Sequence, residues 1–269
     1  MFRLGMVGGG AMGSALLDGV IQAGLVKPEA VFLLEADQTK GETLRKRLAL
    51  KLCDSLGELA KECRLIVLAV KPQVLPDVLR NLGPVISPEH LLISIAAGIS
   101  LAALEKQIPQ GRFVRVMPNT PARIRRGVAA YALGKNVTPT EAERVEAIFG
   151  CVGKTLSVPE HLMDAVTALS GSGPAYVYYL IEALIDSGVL LGLGRDQART
   201  LAVETFIGAA EMLKQTGEHP AKLRDEVTSP GGTTAAALFE LEKAGVSGIL
   251  MTAIQAAARR SAELNRNSG

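Results

Sequence analysis

The chain has 269 residues, enough for two modest domains, and at 48% hydrophobic it has ample material for a core, which argues against general disorder. Lys and Arg total 29 against 27 Asp and Glu, and the basic residues are scattered apart from short groups such as Arg123, Arg125 and Arg126, so no nucleic-acid partner is indicated. Cys53, Cys63 and Cys151 show neither a CxxC pair nor zinc-ligand spacing and read as reduced structural thiols with no metal site; no apolar run is long enough to cross a bilayer, and the first one, MFRLGMV, breaks into glycines too early for a signal peptide, so a cytoplasmic protein with no membrane contact is expected.

The first half alternates β-rich runs with helical patterns. RLGMV (3–7), VFLLE (31–35), RLIVLAV (64–70), HLLISIA (90–96) and RFVRVM (112–117) are continuous aliphatic runs, as parallel strands covered on both faces require. Between them, 11–24, 39–50, 55–62, 74–82 and 100–108 carry apolar residues three to four apart. This alternation predicts an α/β fold with a doubly wound, Rossmann-type sheet. GVAAYAL (127–133) and GKTLSV (153–158) read as late strands, and the helix between them opens on Thr138 as N-cap, with Pro139 first and Glu141 closing a capping box. Beyond about 160 only helical patterns remain: 161–169, 173–192, 195–217, 219–227, 231–245 and 247–264. The expected division is therefore a dinucleotide-type domain over 1–160 and an all-α domain over 161–269. Segment 174–191 is apolar on almost every side, so it needs more cover than its own chain offers, and a dimer through the C-terminal domain is expected.

Gly8, Gly10 and Gly13 follow a strand and open a helix, the spacing of a dinucleotide-binding turn. Gly8 permits the turn, Gly10 lets a pyrophosphate approach the backbone, and Gly13 lets helix and strand pack closely, while the N–H groups of Ala11 and Met12 begin the helix that faces the anion. At the end of the second strand Glu35 is placed to accept hydrogen bonds from a ribose diol and to repel a 2′-phosphate. NADH should then bind at least as well as NADPH, although Thr39 and Lys40 stand close enough to receive a phosphate. Three turns after successive strands, Val70-Lys71-Pro72, Ala97-Gly98 and the segment holding Asn119, are expected at the nicotinamide end, where Ala97 and Gly98 leave room for a flat ring. His90, His161 and His219 read as surface or capping residues rather than acids or bases.

A second glycine turn, Ser229-Pro230-Gly231-Gly232-Thr233-Thr234, precedes a helix near the C-terminus. Exposed N–H groups and the Ser229 hydroxyl suit a carboxylate. Together with VGGGAMGSAL, LAVKPQ, SIAAGI, RVMPNTPA and ALSGSGPAY, the segment DEVTSPGGTTAAAL makes the whole chain resemble pyrroline-5-carboxylate reductases. That resemblance implies NADPH- or NADH-dependent reduction of 1-pyrroline-5-carboxylate to L-proline, the last step of proline biosynthesis. It also implies a helical domain that interlocks two subunits, with larger assemblies of dimers known in the family. It places the substrate carboxylate on Ser229 and the Gly231, Gly232 and Thr233 backbone, and the Thr234 hydroxyl near the ring nitrogen, as the catalytic residue. Where many relatives have an Asn-Arg or Ser-Arg type pair, this chain has Glu35 and Ala36, which departs from an NADPH preference. Two other readings compete: a β-hydroxyacid dehydrogenase, whose lysine is missing from GSGPAYVYYLIEAL, and a non-enzymatic NAD(P)H-binding redox sensor, which leaves SPGGTT unexplained.

Overall fold

In the computed structural model, which describes residues 2–267, eight strands form one sheet. In chain order the first unit comprises β1 (Leu4–Val7), α1 (Ala11–Gln22), β2 (Val31–Leu34), α2 (Gln38–Leu48), β3 (Lys51–Leu52), α3 (Leu56–Glu62), β4 (Leu65–Leu68), α4 (Leu75–Leu82), β5 (Leu91–Ser94), α5 (Leu101–Gln107), β6 (Arg112–Met117), β7 (Gly127–Leu133), α6 (Pro139–Gly150), β8 (Gly153–Ser157) and α7 (Met163–Val166). The strand order is β3-β2-β1-β4-β5-β6-β7-β8, parallel except for the antiparallel β6–β7 pair. The predicted strands all form. Only β3 escaped the sequence reading, because a two-residue strand pairing with Phe32 and Leu33 is too short to carry a pattern.

Each central strand sends alternate side chains to opposite faces. Leu4, Met6, Leu65 and Val67 meet α1, α2 and α6 on one side; Val7, Ile66, Leu68 and Leu92 meet α3, α4 and α5 on the other. Short polar side chains start the helices. Asp37, Ser55 and Ser100 each accept a backbone N–H from the first turn of α2, α3 and α5, and both hydrogen bonds of the Thr138–Glu141 capping box are present.

The stretch predicted as one helix over 161–169 is broken. After α7 the backbone widens into a π turn, Thr167–Gly171, closed by the Ser172 N–H donating to the Thr167 carbonyl at 2.9 Å. By packing, the first unit runs on to Ser172 and takes in the chain again from Ala256, instead of ending at 160. Two contacts explain why. Met163 is buried in the sheet's core, and Asp164 accepts hydrogen bonds from Ser261 and Asn265 of the last helix, α12 (Val246–Asn267), whose Asn265 also accepts from the buried Arg115.

The second unit, Gly173–Gln255, holds α8 (Gly173–Leu190), α9 (Arg195–Thr216), α10 (Pro220–Glu226), α11 (Thr233–Lys243) and the start of α12. The helices α8 and α9 approach closely; a Cβ on Gly188 would stand 2.8 Å from that of Ala198. Among its described residues only Ala198 and Ala202 are buried, while Tyr179, Leu190, Leu191 and Phe239 are exposed.

Candidate active site

The first glycine turn joins β1 to α1 at the point where the sheet order reverses, with β2 on one side of β1 and β4 on the other, which is where open α/β sheets bind ligands. Gly8 has φ +94°, and a Cβ there would sit 2.7 Å from the Ala69 carbonyl oxygen. On Gly13 a Cβ would stand 2.3 Å from the Gly8 carbonyl oxygen. Gly10 differs from both. Nothing lies within 4 Å of the Cβ it lacks, so the protein itself gives no reason for a glycine there. Gly10 is also the N-cap of α1, with no side chain capping the helix. An open approach to an uncapped helix start fits a pyrophosphate.

Glu35 closes one side of this turn. Its carboxylate accepts the Gly9 N–H at 2.6 Å and the Asp37 N–H at 3.1 Å, and Lys40 Nζ lies 3.3 Å away. Burial by itself raises its pKa, but the two N–H groups and the ammonium outweigh that and hold the carboxyl below its ordinary value. Val70 packs near Gly8, at 3.1 Å from the position of the absent Cβ. The Lys71 carbonyl accepts the Val74 N–H, starting α4, while its side chain is exposed. The structure therefore brings Gly8, Gly10, Gly13, Glu35 and Val70 together around one turn.

Two other expected positions serve the fold visibly. Gly98 has φ +73°, a conformation that favours glycine, and a Cβ there would also meet Leu264 Cβ at 3.0 Å, so backbone geometry and the packing of α12 both account for the glycine. The Asn119 amide accepts the Val128 N–H and donates to the Ser170 carbonyl, tying the turn after β6 to β7 and to the π turn. That π turn is a feature the sequence reading missed, and such bulges are frequent at functional sites. Its only sequence trace is the glycine-rich SGSG.

In the second unit, Ser229–Gly232 forms a hydrogen-bonded turn, with the Gly232 N–H donating to the Ser229 carbonyl at 3.0 Å. Pro at the second place and Gly231 with φ +67° at the third are the residues a type II turn requires. The Gly232 N–H is thus committed to the turn and is not a free anchor for a ligand. Among the described residues no side chain caps α11, so the N–H groups that follow, from Thr233 onward, are the ones presented at its start. A Cβ on Gly232 would stand 2.3 Å from Ser229 Oγ, which places that hydroxyl beside the same helix start.

His90 is buried, not a surface or capping residue. Nδ1 accepts the Ser87 N–H at 3.0 Å and Nε2 lies 2.9 Å from the Ala60 carbonyl, so the ring ties the turn before β5 to α3. His219 does cap α10, and His161 is exposed. Burial pushes the Cys53 thiol to about 11 and Cys63 to about 12, which leaves both unreactive. Among the described residues no group of three His, Cys, Asp or Glu could hold a metal ion, and no helix is long and apolar enough to cross a membrane.

Comparisons with known proteins agree over the full chain. A pyrroline-5-carboxylate reductase from Synechocystis is 45% identical and one from Methanosarcina acetivorans 44% identical, each over 98% of both chains. The chain belongs to the pyrroline-5-carboxylate reductase family. Residues 160–264 match the family model for pyrroline-5-carboxylate reductase dimerisation, and residues 3–98 match one described as NADP oxidoreductase, coenzyme F420-dependent. A solved pyrroline carboxylate reductase from Plasmodium falciparum with NADP bound, 38% identical, superposes with a TM-score of 0.87 over 98% of each chain. Within this family, the exposed apolar helices of the second unit are the region that the dimerisation model covers.

Proposed function

We infer that the protein is a pyrroline-5-carboxylate reductase, reducing the C=N bond of 1-pyrroline-5-carboxylate to L-proline with NADPH or NADH in the cytoplasm. The observation that carries this reading is the presence, in one family chain, of two separate uncapped helix starts behind glycine turns: one at Gly10 and one at Gly232. Each suits a different anion. The backbone of Gly10, Ala11, Met12 and Gly13 takes the pyrophosphate, while Val70, Lys71, Pro72, Ala97, Gly98 and Asn119 border the rest of the dinucleotide. Residues 1–160 carry this half of the work, and residues 161–269 bind substrate and a second copy of the chain.

The nicotinamide supplies the hydride. The Ser229 hydroxyl and the N–H groups at the start of α11 hold the substrate carboxylate, and so fix the face of the ring that is presented. Holding the reacting atoms in near-attack geometry supplies up to about 7–11 kcal/mol of the barrier reduction in favourable cases. An imine nitrogen is basic enough to be largely protonated near neutrality, so a strong protein acid is unnecessary. Thr234 orients that nitrogen by hydrogen bonding, since an unperturbed hydroxyl is too weak an acid to act alone. The helix α8, with no buried residue in a single chain, is covered by the partner subunit.

The deciding experiment follows NADH and NADPH oxidation in the presence of 1-pyrroline-5-carboxylate. Cofactor binding without turnover would remove the enzymatic reading. Thr234→Ala should lower kcat by about tenfold or more while leaving the dinucleotide Kd within about twofold, as expected for a lost hydrogen bond in the transition state. An unaltered rate would take Thr234 out of the site.

A further inference from the structure

Among the described residues Lys40 is the one cation in contact with the Glu35 carboxylate, and the two sit where a dinucleotide's adenosine ribose is recognised in this fold. Glu35 is held firmly. Its side chain is only 10% exposed, its two oxygens accept the Gly9 and Asp37 N–H groups, and its Cβ lies near Gly41 on α2. A Cβ on Gly9 would meet Leu44 at 2.5 Å and Glu35 Oε2 at 3.2 Å, so the turn and the carboxylate are fitted to each other. Lys40 is looser, with a side chain 41% exposed.

A carboxylate has roughly four lone-pair positions. Here the Gly9 N–H, the Asp37 N–H and Lys40 occupy three of them, which leaves capacity on Oε1 for a hydroxyl donor. A ribose 2′-hydroxyl can donate there. A 2′-phosphate brings only negative charge and acceptors, and the carboxylate cannot swing away without releasing both backbone donors. Lys40 would be the natural partner for such a phosphate, but its charge is already balanced by Glu35.

We propose that Glu35 and Lys40 form a cofactor-selection pair in which Glu35 favours NADH both by accepting the ribose hydroxyl and by neutralising the cation that would otherwise bind the 2′-phosphate of NADPH. This rests on the dinucleotide reading of the first glycine turn. Removing the carboxylate then does two things at once: it ends the repulsion and frees Lys40. Selectivity is stored in the pair, and the effect of Lys40 depends on whether Glu35 is charged.

The test is direct binding, without imine, of NADH and NADPH to the wild type, Glu35→Gln, Lys40→Ala and the double variant, by enhancement of nicotinamide fluorescence. The wild type should bind NADH about tenfold or more tighter than NADPH. Glu35→Gln should tighten NADPH by about tenfold, and Lys40→Ala alone should change either Kd by less than about threefold, whereas adding Lys40→Ala to Glu35→Gln should cancel most of the NADPH gain. A thermal unfolding midpoint within a few degrees of wild type for each variant shows that the turn still folds, and Glu35→Ser serves if Glu35→Gln does not. A wild type that binds NADPH as tightly as NADH overturns the proposal. So does a double variant that binds NADPH as well as Glu35→Gln does. A wild type that binds neither dinucleotide removes the cofactor reading itself, and this inference with it.

Discussion

The two glycine turns begin alike, with a glycine at the N-cap of a helix that no side chain caps, yet their glycines are there for different reasons. In the first turn Gly8 and Gly13 are pressed against main-chain carbonyls, of Ala69 and of Gly8 itself, which cannot move without separating α1 from the sheet. In the second, Gly231 has open space around it and is required by its φ alone, and Gly232 faces Ser229 of the same turn, its hydroxyl at 2.3 Å and its carbonyl oxygen at 3.1 Å from the absent Cβ. The first turn is part of the sheet's packing and its shape is imposed from outside. The second is a local type II turn on the surface of a single chain, shaped by its own four residues. Substitutions should therefore spread from the first turn into the fold, and stay within the second.

The largest effect is expected at Gly13. Gly13→Ala drives a Cβ into the Gly8 carbonyl, so a stability loss of roughly 2–3 kcal/mol is expected by thermal or denaturant unfolding, together with weak binding of both dinucleotides. Gly231→Ala comes next, at roughly 1–2 kcal/mol for an L-residue held in the left-handed region, with the loss of imine affinity exceeding any loss of dinucleotide affinity. An equal fall in both affinities would show that the second turn is not local after all. Gly10→Ala should leave stability within about 0.5 kcal/mol, because its Cβ meets nothing and its φ of −60° suits alanine. Dinucleotide affinity should still fall by about tenfold, since the space taken is the ligand's. Normal binding by Gly10→Ala would place the pyrophosphate elsewhere.

The same contrast explains what could be read in advance. The sheet was legible because fully buried parallel strands need continuous aliphatic runs, and Leu65–Leu68 or Leu91–Ser94 leave no other reading. The SPGG turn was legible because proline and glycine state their own backbone angles. Features that depend on distant partners were not. His90 looks like a polar residue before a strand; Ser87 is a local partner in the same turn, but only the tertiary fold brings the Ala60 carbonyl to its ring. Gly98 reads as a residue making room for a ligand, while its φ of +73° and the approach of Leu264, far along the chain, are reasons for a glycine that the sequence does not display. In the sequence Gly232 offers its N–H to a substrate, but the turn itself uses that N–H. The π turn at Thr167–Gly171 has no periodicity of its own, since it is one widened turn inside a helical stretch.

Gly232 provides the smallest and most discriminating test. Its φ of −80° and ψ of 174° are ordinary for any residue, so alanine brings no backbone strain. The added Cβ would fall 2.3 Å from Ser229 Oγ and 3.1 Å from the Ser229 carbonyl oxygen; Ser229 is exposed, so its hydroxyl can turn to another staggered position and the surface turn can give slightly at the carbonyl. Stability should then change by no more than about 0.5 kcal/mol. The hydroxyl nonetheless leaves its place beside the start of α11. If that hydroxyl holds the substrate carboxylate, KM for 1-pyrroline-5-carboxylate should rise by about three- to tenfold with kcat and the dinucleotide Kd nearly unchanged, the pattern of lost uniform binding. Ser229→Ala should do the same. Because both changes act through one oxygen, the double variant should be no worse than the worse single one, a non-additive pair. Additive losses in KM would mean that Gly232 contributes through its own backbone, and that the Ser229 hydroxyl is not the route by which the turn recognises its anion.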